Sequence, residues 1–342
     1  ALALLSGHIG ISGGGSYFHL HSYRNLNLNW TRDLRKKKRR SFPIAAIGRE
    51  IEAANNPPIK LIWVNGINLV NQAPDSRQTA RAFESVAFKV VVDAFMNDTA
   101  QRADLILPST LMLEQEDIIG SYLHEYVQHV RPALPPPSEA RDDMWILTQI
   151  GKRLDPPVEL PDVETCLKKS LDGPYLQVTL EEMRRKGCAK ADRPEIAYAD
   201  LAFDHPDGKY RFPLILHPEP AADPQYPLRL LTLVRRNAIH SQILPEDQNG
   251  LPRAWVAPDS LVLPKIDPQR DVWIVSPLGR LKVALDILPG LHPGVVLYRR
   301  GDWMNRGGGV NQLITAGLTD IGLGAPFYDQ YVRLENDGGT RI

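Results

Sequence analysis

The sequence contains little of what disulfide-stabilised, zinc-binding or membrane-spanning proteins require. Only two of its 342 residues are cysteine, Cys166 and Cys188, which are too few for a disulfide framework and are not clustered as zinc or iron–sulfur ligands are. No apolar run approaches the ~18–20 residues that would span a bilayer. Forty basic residues balance forty acidic ones, so no net charge attracts nucleic acid or an anionic membrane. We therefore expect a folded chain that holds any anionic ligand through a local site.

The opening segment and the most basic segment carry little structural signal of their own. Residues 1–10 begin without Met and without a basic leader, and they resemble the middle of a helix that runs into the glycine-rich turn at 12–15. We expect that more of the protein precedes Ala1, where a targeting signal would lie. A cytoplasmic location is expected, with the periplasm as the alternative. The basic run at 35–40 sits between polar stretches, which favours a solvated loop over a nucleic-acid signal.

Residues 59–108 have the alternation that is typical of a parallel α/β sheet. The pattern predicts strands at 60–64, 88–93 and 104–108 and a helix at 75–86. A strand–helix–strand unit of this length implies parallel pairing of its strands. A further helix is expected over 138–154, and the double proline at 156–157 closes it. We predict a Rossmann-like α/β domain over residues 1–155.

The rest of the chain contains a proline- and acid-rich segment followed by a segment of short apolar runs. Residues 156–226 contain recurrent prolines and acids and one expected helix, at 180–186, which predicts a connecting arm. After residue 226 the apolar runs are short and predict strands at 228–234, 255–256, 271–276, 279–285 and 294–298. Short strands separated by Pro-Gly turns favour a barrel over a layered sheet. The predicted fold class is therefore α/β plus β, with a β-barrel domain over 227–342.

Three turns carry polar residues that suit ligand binding. Gly66 allows the backbone to approach a ligand, Asn68 offers an amide that donates and accepts, and Asp93 can accept two hydrogen bonds from a guanine-like edge. The stretch 235–242 places arginines, a histidine, a serine and a glutamine after a strand, which suits a diphosphate and a heterocycle. Each is alternatively an ordinary turn, cap or solvated loop. No catalytic triad order, metal-spaced cluster or phosphate loop occurs, so the sequence predicts no catalytic residue and no metal ligand.

Taken in order, the first half of these segments resembles the molybdopterin oxidoreductase superfamily, which includes formate dehydrogenases, nitrate reductases and dimethyl sulfoxide reductases. The opening LLSGHIG, with glycines at 13–15, resembles that family's LLTGNIGxPGGG stretch. The segment 64–75 is similar to its GxNPxxxxPD loop, with Leu69 where proline is usual. Residues 93–114 resemble DxFxTETAxxADVVLPxxxxxE, with Asp98 in place of glutamate. Residues 124–127 depart from the family's GTxxNxEGRxQ segment.

The last third continues the resemblance. Residues 232–242 look like the family's cofactor-binding turn that ends in HSQ. Residues 276–280, together with the glycines and proline at 290–294, fit its barrel core. Residues 310–313 and 325–329 resemble the closing VNxLT…PxYxxxxV motif. The resemblance thus covers nearly the whole chain apart from the arm.

The resemblance implies a cofactor, a bis-pterin guanine dinucleotide (bis-MGD) carrying molybdenum or tungsten, clamped between the α/β domain and a double-psi-type barrel. It places six residues along one nucleotide: Gly66, Asn68, Asp93, Phe95, Thr99 and Asp104. It places six others near the pterins and diphosphates: Arg235, His240, Ser241, Gln242, Asn311 and Tyr328. The family's metal-ligating residue and the cysteines of its 4Fe–4S cluster lie in its N-terminal half and have no counterpart here.

We therefore predict the C-terminal half of a bis-MGD oxidoreductase that performs oxygen-atom transfer or a two-electron oxidation such as that of formate. Its expected partners are the N-terminal half of the same enzyme or a companion subunit, a small-molecule substrate and an electron-transfer protein. The alternative is a non-catalytic molybdopterin-binding or structural subunit descended from such an enzyme. A nicotinamide dehydrogenase is disfavoured, because no GxGxxG turn follows a strand.

Overall fold

The structure is a computed structural model that describes residues 1–16, 21–32, 39–137, 139–215, 223–320 and 322–337. Residues 35–38 of the basic run and Ser138 of the expected helix at 138–154 lie outside the described residues. The helices of the described part are α1 (Leu2–Leu5), α2 (Ile47–Ala53), α3 (Leu69–Gln72), α4 (Ser76–Ser85), α5 (Asp143–Gly151), α6 (Val163–Leu171) and α7 (Leu180–Lys186). Its strands are β1 (Leu61–Asn65), β2 (Phe88–Asp93), β3 (Leu105–Pro108), β4 (Asp117–Ile119), β5 (Tyr126–Val130), β6 (Cys188–Lys190), β7 (Leu228–Leu233), β8 (Arg253–Val256), β9 (Val272–Ser276), β10 (Gly279–Ile287), β11 (Val295–Arg299) and β12 (Tyr331–Asn336).

The chain divides into two compact units. The first contains residues 1–37 and 109–219, and the second contains residues 38–108 and 220–342. The second unit thus groups the predicted parallel strands with the predicted barrel. The domain boundaries at 155 and 226 stay a prediction.

The parallel sheet predicted for residues 59–108 is confirmed. It has the order β1-β2-β3, and both pairings are parallel, with Val91 opposite Val64 on one side and Ile106 on the other. Helix α4 begins at Asp75, whose side chain accepts a hydrogen bond from the Gln78 backbone at 3.0 Å. Its apolar face, which includes the fully buried Phe83, packs against Val64 and Val91. The helix therefore buries one face of the sheet.

The predicted barrel is also confirmed. Six strands close it in the order β10-β8-β11-β7-β12-β9, with β7–β11 and β8–β10 parallel and the other neighbours antiparallel. Alternate residues of β7 point inward, as the period of two requires, and they meet Ile274, Val296 and Tyr298 in the core. The sequence reading missed β12, which pairs with both β7 and β9 and so closes the barrel.

The first unit contains a buried cluster that joins residues 118–127 to the segment that was predicted to be a connecting arm. Strands β4, β5 and β6 form an antiparallel sheet, and Leu167 of α6 and Met183 of α7 are buried in one cluster with Val127 of β5. Helix α7 has the predicted bounds, but α6 was missed. Its signals were the cap Asp162 and apolar residues four apart, set among prolines. In the described part of the chain, no helix is both long enough and apolar enough to cross a membrane.

Candidate functional site

A cavity of about 460 Å³ lies in the second unit, where loops that follow parallel strands meet. One wall comes from residues 67–74, after β1. The opposite wall comes from the loops after β7 and β11, whose carboxyl ends lie at one edge because the two strands pair in parallel. The size is typical of a site for one small organic ligand. Its walls include the apolar side chains of Ile67, Leu69, Val310 and Phe327.

Two buried asparagines join the walls. The side-chain amide of Asn311 donates to the backbone oxygens of Asn71 and Gln72, both at 2.9 Å. The amide of Asn71 donates in turn to the backbone oxygen of Asp302 at 3.1 Å. Both side-chain oxygens, Asn71 Oδ1 and Asn311 Oδ1, are buried without a hydrogen-bond donor among the described residues. The hydrogen bonds donated by the two amides therefore hold the walls of the cavity together.

A buried acid–phenol pair supports the barrel side of the cavity. The Tyr298 hydroxyl donates to one carboxylate oxygen of Asp302, and a guanidinium nitrogen of Arg235 lies 3.6 Å from the other. Burial raises the pKa of the Asp302 carboxyl and also, together with the charge of Asp302, that of the Tyr298 phenol. Arg235 Nε also donates to the backbone oxygen of Arg300 at 3.3 Å. Arg235 therefore contacts the protein through a terminal guanidinium nitrogen and through Nε.

Arg300 and His240 supply polar groups to the same cavity. Arg300 donates to the Tyr328 hydroxyl at 3.4 Å and lies 5.9 Å from the centre of the Phe327 ring, whereas its Nε is buried without an acceptor among the described residues. Burial, and next the charge of Arg300, lowers the pKa of His240. His240 has a positive φ of 49°, and its carbonyl oxygen leaves no room for a Cβ at Gly301. The two loops therefore approach each other closely.

A second network ties the sheet side to the segment after β11. The fully buried carboxylate of Asp98 accepts hydrogen bonds from Asn68 Nδ2 at 3.1 Å and from the backbone amides of Met304 and Asn305 at 3.1 and 2.8 Å. Asn68 Oδ1 accepts from both the amide and the hydroxyl of Thr99 at 3.2 and 3.0 Å. Asn68 and Thr99 are thus occupied by contacts within the protein, which fix the loop rather than present free donors.

The structure brings four of the twelve predicted site residues to the cavity: His240, Ser241, Asn311 and Tyr328. Gln242, which follows Ser241 in the chain, is exposed, and Arg235 contacts Arg300 and Asp302 without lining the cavity itself. Gly66 has a φ of +64° at the end of β1, and Phe95 is exposed beyond β2. Asp93 accepts from the Phe95 amide at 3.0 Å, so it caps its own turn.

Asp104 lies at a different edge of the sheet. It precedes β3, and its carboxylate pairs with Lys89 Nζ at 2.8 Å, near the start of β2. Hydrogen bonding to Lys89 lowers the pKa of Asp104. The amino ends of parallel strands lie opposite their carboxyl ends, so Asp104 is separated from the cavity by the length of the strands. Among the described residues, no group of three or more His, Cys, Asp or Glu side chains could hold a metal ion.

Sequence reasoning missed the four other cavity residues with polar or charged side chains: Asn71, Gln72, Arg300 and Asp302. Gln72 Nε2 donates to the hydroxyl of the predicted Ser241 at 2.7 Å. The available signal was position, because Arg300 and Asp302 lie just after β11, and Asn71 and Gln72 lie in α3, the first helix after β1. Polar residues beyond a strand's carboxyl end are typical of ligand loops, but only the fold shows which strands are neighbours.

Comparisons with known proteins agree on one kind of relative. A family model described as molybdopterin oxidoreductase matches residues 1–153. "Probable oxidoreductase YyaE" of Bacillus subtilis is 29% identical over 98% of this chain and 54% of its own length. "Probable dimethyl sulfoxide reductase chain YnfF" of Escherichia coli is 25% identical over 98% of this chain and 51% of its own. The chain thus spans about half the length of the curated relatives it matches.

A solved structure shares the fold. "Acetylene Hydratase from Pelobacter acetylenicus" superposes with a TM-score of 0.73 at 17% identity, covering 86% of this chain and 46% of that one. At this identity the likeness concerns the fold alone. It extends over most of the described architecture, so the arrangement of sheet, helices and barrel is one that occurs in a longer protein.

Proposed function

Because this chain belongs to the molybdopterin oxidoreductase superfamily, we propose that its second unit holds a pterin guanine dinucleotide and that the chain forms about half of an oxidoreductase catalytic subunit. The superfamily implies a molybdopterin cofactor with molybdenum or tungsten. When bound, such a cofactor supplies two-electron redox chemistry at its metal, for oxygen-atom transfer or an oxidation such as that of formate. The contribution of this chain is to bind and orient it.

The observation that carries the proposal is the fit between the cavity and a 2-amino-4-oxopyrimidine edge, which pterin and guanine share. That edge has amino and ring N–H donors and a keto oxygen. The cavity is lined by Gln72, Ser241 and Arg300, whose amide, hydroxyl and guanidinium groups can accept from such N–H donors or donate to the keto oxygen. Apolar side chains such as Leu69 and Phe327 line the rest and suit the faces of a flat ring.

The bis form of the cofactor requires more surface than this cavity offers. About 460 Å³ is the size of a site for one drug-sized ligand, not for two dinucleotides. We assign the remaining contacts to the predicted sheet-side residues Gly66, Asp93, Phe95 and Asp104, to Gln242, and to the rest of the catalytic subunit. Asp104 is the least favoured of these, because it lies at the opposite edge of the sheet. Asn68 and Thr99 would act indirectly, by fixing the loop after β1.

The finer fold and partner assignments belong to the same proposal. The barrel's two parallel pairs, β7–β11 and β8–β10, lie between antiparallel neighbours, an interleaved order that supports a double-psi-type barrel. The metal-ligating side chain and a 4Fe–4S cluster would come from the remainder of the catalytic polypeptide or from a companion subunit. An electron-transfer protein would complete the assembly.

Cofactor content tests the proposal directly. The protein is purified from a host that makes molybdopterin cofactors, its molybdenum and tungsten are measured by mass spectrometry, and GMP is quantified after acid hydrolysis. We expect stoichiometric GMP in the unsubstituted protein and roughly a 10-fold loss in Asn71→Leu, because loss of the buried amide that joins the two walls of the cavity costs about 1–3 kcal/mol. Asn249→Leu, at an exposed asparagine outside the cavity, is the matched control and should retain GMP.

The contradicting outcomes are equally clear. An unsubstituted protein that releases no GMP refutes the dinucleotide. Equal GMP content in Asn71→Leu and Asn249→Leu refutes the role of this cavity. Melting curves of both variants establish that a loss of cofactor is not a loss of fold.

A further inference from the structure

The cavity has two neighbouring arginines, and the structure gives them different surroundings. Arg235, the one that the sequence singled out, lies 3.6 Å from the buried carboxylate of Asp302. Its Nε is used by the backbone oxygen of Arg300. Because Asp302 is only 5% exposed and also accepts the Tyr298 hydroxyl, its charge has Arg235 as its nearest compensation. Arg235 and Asp302 therefore balance each other, which leaves Arg235 little charge to offer a ligand.

Arg300 has no such compensation. Among the described residues no carboxylate lies within salt-bridge distance of its guanidinium, which lines the cavity. The neighbouring groups are the Tyr328 hydroxyl and the Phe327 ring, neither of which carries a negative charge, and Nε is buried without an acceptor. A guanidinium that is partly removed from water without a counter-charge is costly, and an anion bound in the cavity would remove that cost.

The backbone of Arg300 is held on both sides. Its amide donates to the Leu233 oxygen at 3.0 Å, and its carbonyl accepts from Arg235 Nε at 3.3 Å. The loop then passes through Gly301, at a φ of +112°, where a side chain would collide with the His240 carbonyl. Arg235 and Asp302 thus fix the residue that bears the uncompensated charge.

We propose that Arg300 binds an anionic phosphate oxygen of a nucleoside diphosphate group in the cavity, and that Arg235, paired with Asp302, is a positioning residue that holds Arg300 in place. This inference rests on the proposed function, since it assigns the residue that recognises the diphosphate part of the same ligand. Charge-assisted hydrogen bonds from arginine to phosphate are strong and geometrically specific, and Arg300 lines the cavity whereas Arg235 does not.

The neighbouring histidine does not supply the same charge. Burial and the proximity of Arg300 lower the pKa of His240, so its imidazole is neutral near pH 7. The titratable groups that face Arg300 are thus His240, Tyr328 and the Asp302–Arg235 pair. Of these, none adds a second uncompensated positive charge, which leaves Arg300 as the group that distinguishes a charged ligand from an uncharged one.

A pair of ligands that differ only in charge tests the assignment. Binding of guanosine diphosphate and of guanosine to the full chain is measured by calorimetry for the unsubstituted protein, Arg300→Gln, Arg300→Lys and Arg299→Gln. Arg299 is the matched control, because it adjoins Arg300 but donates to the Val234 backbone oxygen at 2.7 Å and does not line the cavity. Melting temperatures confirm that each variant is folded.

We expect Arg300→Gln to weaken guanosine diphosphate about 10- to 100-fold, the range for a charged hydrogen bond, and to change guanosine less than about twofold. Arg300→Lys should keep the greater part of the diphosphate affinity, and Arg299→Gln all of it. Unchanged diphosphate affinity in Arg300→Gln, or an equal loss for both ligands, overturns the inference alone. An unsubstituted chain that binds neither ligand overturns the proposed function and this inference with it.

The positioning role has its own readout. Arg235→Gln leaves Asp302 uncompensated beside the loop of Arg300, so we expect weaker binding of guanosine diphosphate. Adding Asp302→Asn removes that charge and keeps an oxygen for Tyr298, so the double variant should recover at least half of the lost free energy of binding. Absence of any recovery overturns the positioning role, whereas recovery supports it.

Discussion

Substitution of Asp98 tests how much one buried carboxylate contributes to holding the sheet side of the cavity to the segment after β11. Asp98 is fully buried and accepts three hydrogen bonds, one from the Asn68 amide and two from the Met304 and Asn305 backbone. In Asp98→Ala all three donors lose their partner. Each hydrogen bond to a charged group contributes about 1.5–3 kcal/mol, but bonds in one network are not additive, so we expect a loss of about 4–5 kcal/mol.

That loss should be visible both globally and locally. For a unit of ~150–250 residues, 1 kcal/mol shifts the melting temperature by about 2–4 °C, so Asp98→Ala should melt roughly 8–20 °C lower. Asp98→Asn retains the shape and one acceptor and should lose about half as much. Hydrogen exchange measures the local effect, because the Met304 and Asn305 amides bond directly to the carboxylate and should lose protection first.

A solvent-exposed aspartate serves as the control for the buried Asp98. Asp286 pairs with Arg253 at 2.6 Å on the surface, with 37% and 62% of the side chains exposed, so Asp286→Ala should cost less than ~1 kcal/mol. If Asp98→Ala melts within the same range as Asp286→Ala, or if the amides of residues 304 and 305 keep their protection, the carboxylate does not join the two sides and the reasoning is wrong.

Three further predictions concern other parts of the chain. Hydrogen bonding from Arg184 lowers the pKa of Glu116 from 4.5 to about 2, so the stabilisation from the ionised Glu116 carboxylate is complete above pH ~4.5 and is lost as the pH falls towards 2. Over that pH range the melting temperature of Glu116→Gln should vary less than that of the unsubstituted protein. Parallel plots of melting temperature against pH for the two proteins would contradict this. Gly301→Ala should destabilise the protein and reduce ligand binding, because the added Cβ would collide with the His240 carbonyl. Gly307→Ala, also at positive φ but in open space, should cost only about 1 kcal/mol. Equal melting temperatures of the two variants would show that the close approach of Gly301 to His240 is unimportant. Met183→Ala, in the buried cluster of the first unit, should cost about 2–5 kcal/mol in denaturant unfolding, and a cost under ~1 kcal/mol would mean that this segment has no core.

The barrel and the sheet show how much of the fold is legible in local patterns. Strands β1, β2, β3, β7, β9 and β11 were predicted within one or two residues, because short apolar runs and a period of two are properties of neighbouring residues. Helix α6 was missed because its few apolar residues lie among prolines and charges, and it is stabilised by packing on a sheet whose strands are distant in sequence. Strand β12 has the same explanation, since its stability depends on β7 and β9 rather than on its own sequence.

The residues of the candidate site also fall into those that the sequence could identify and those that it could not. His240, Ser241, Asn311 and Tyr328 could be named from sequence because they stand in motifs that resemble those of a known family. The assignment of Arg235 as the residue near the diphosphate rested on its position after a strand, and sequence alone could not show that a buried Asp302 would take up its charge. Arg300 stands after a strand too, but its importance depends on which carboxylates lie nearby.

By itself the sequence determined most strands of the parallel sheet and the barrel, that parallel α/β and barrel elements follow one another, and to which superfamily the chain is similar. These properties depend on residues within a few positions of each other or on ordered motifs. Only the tertiary structure decided that Asn71 meets Asp302 and Asn311 across 231 and 240 residues of chain, and which polar atoms there lack a partner. Compensation and desolvation of a polar group depend on everything packed around it, and that information exists only once the chain has folded.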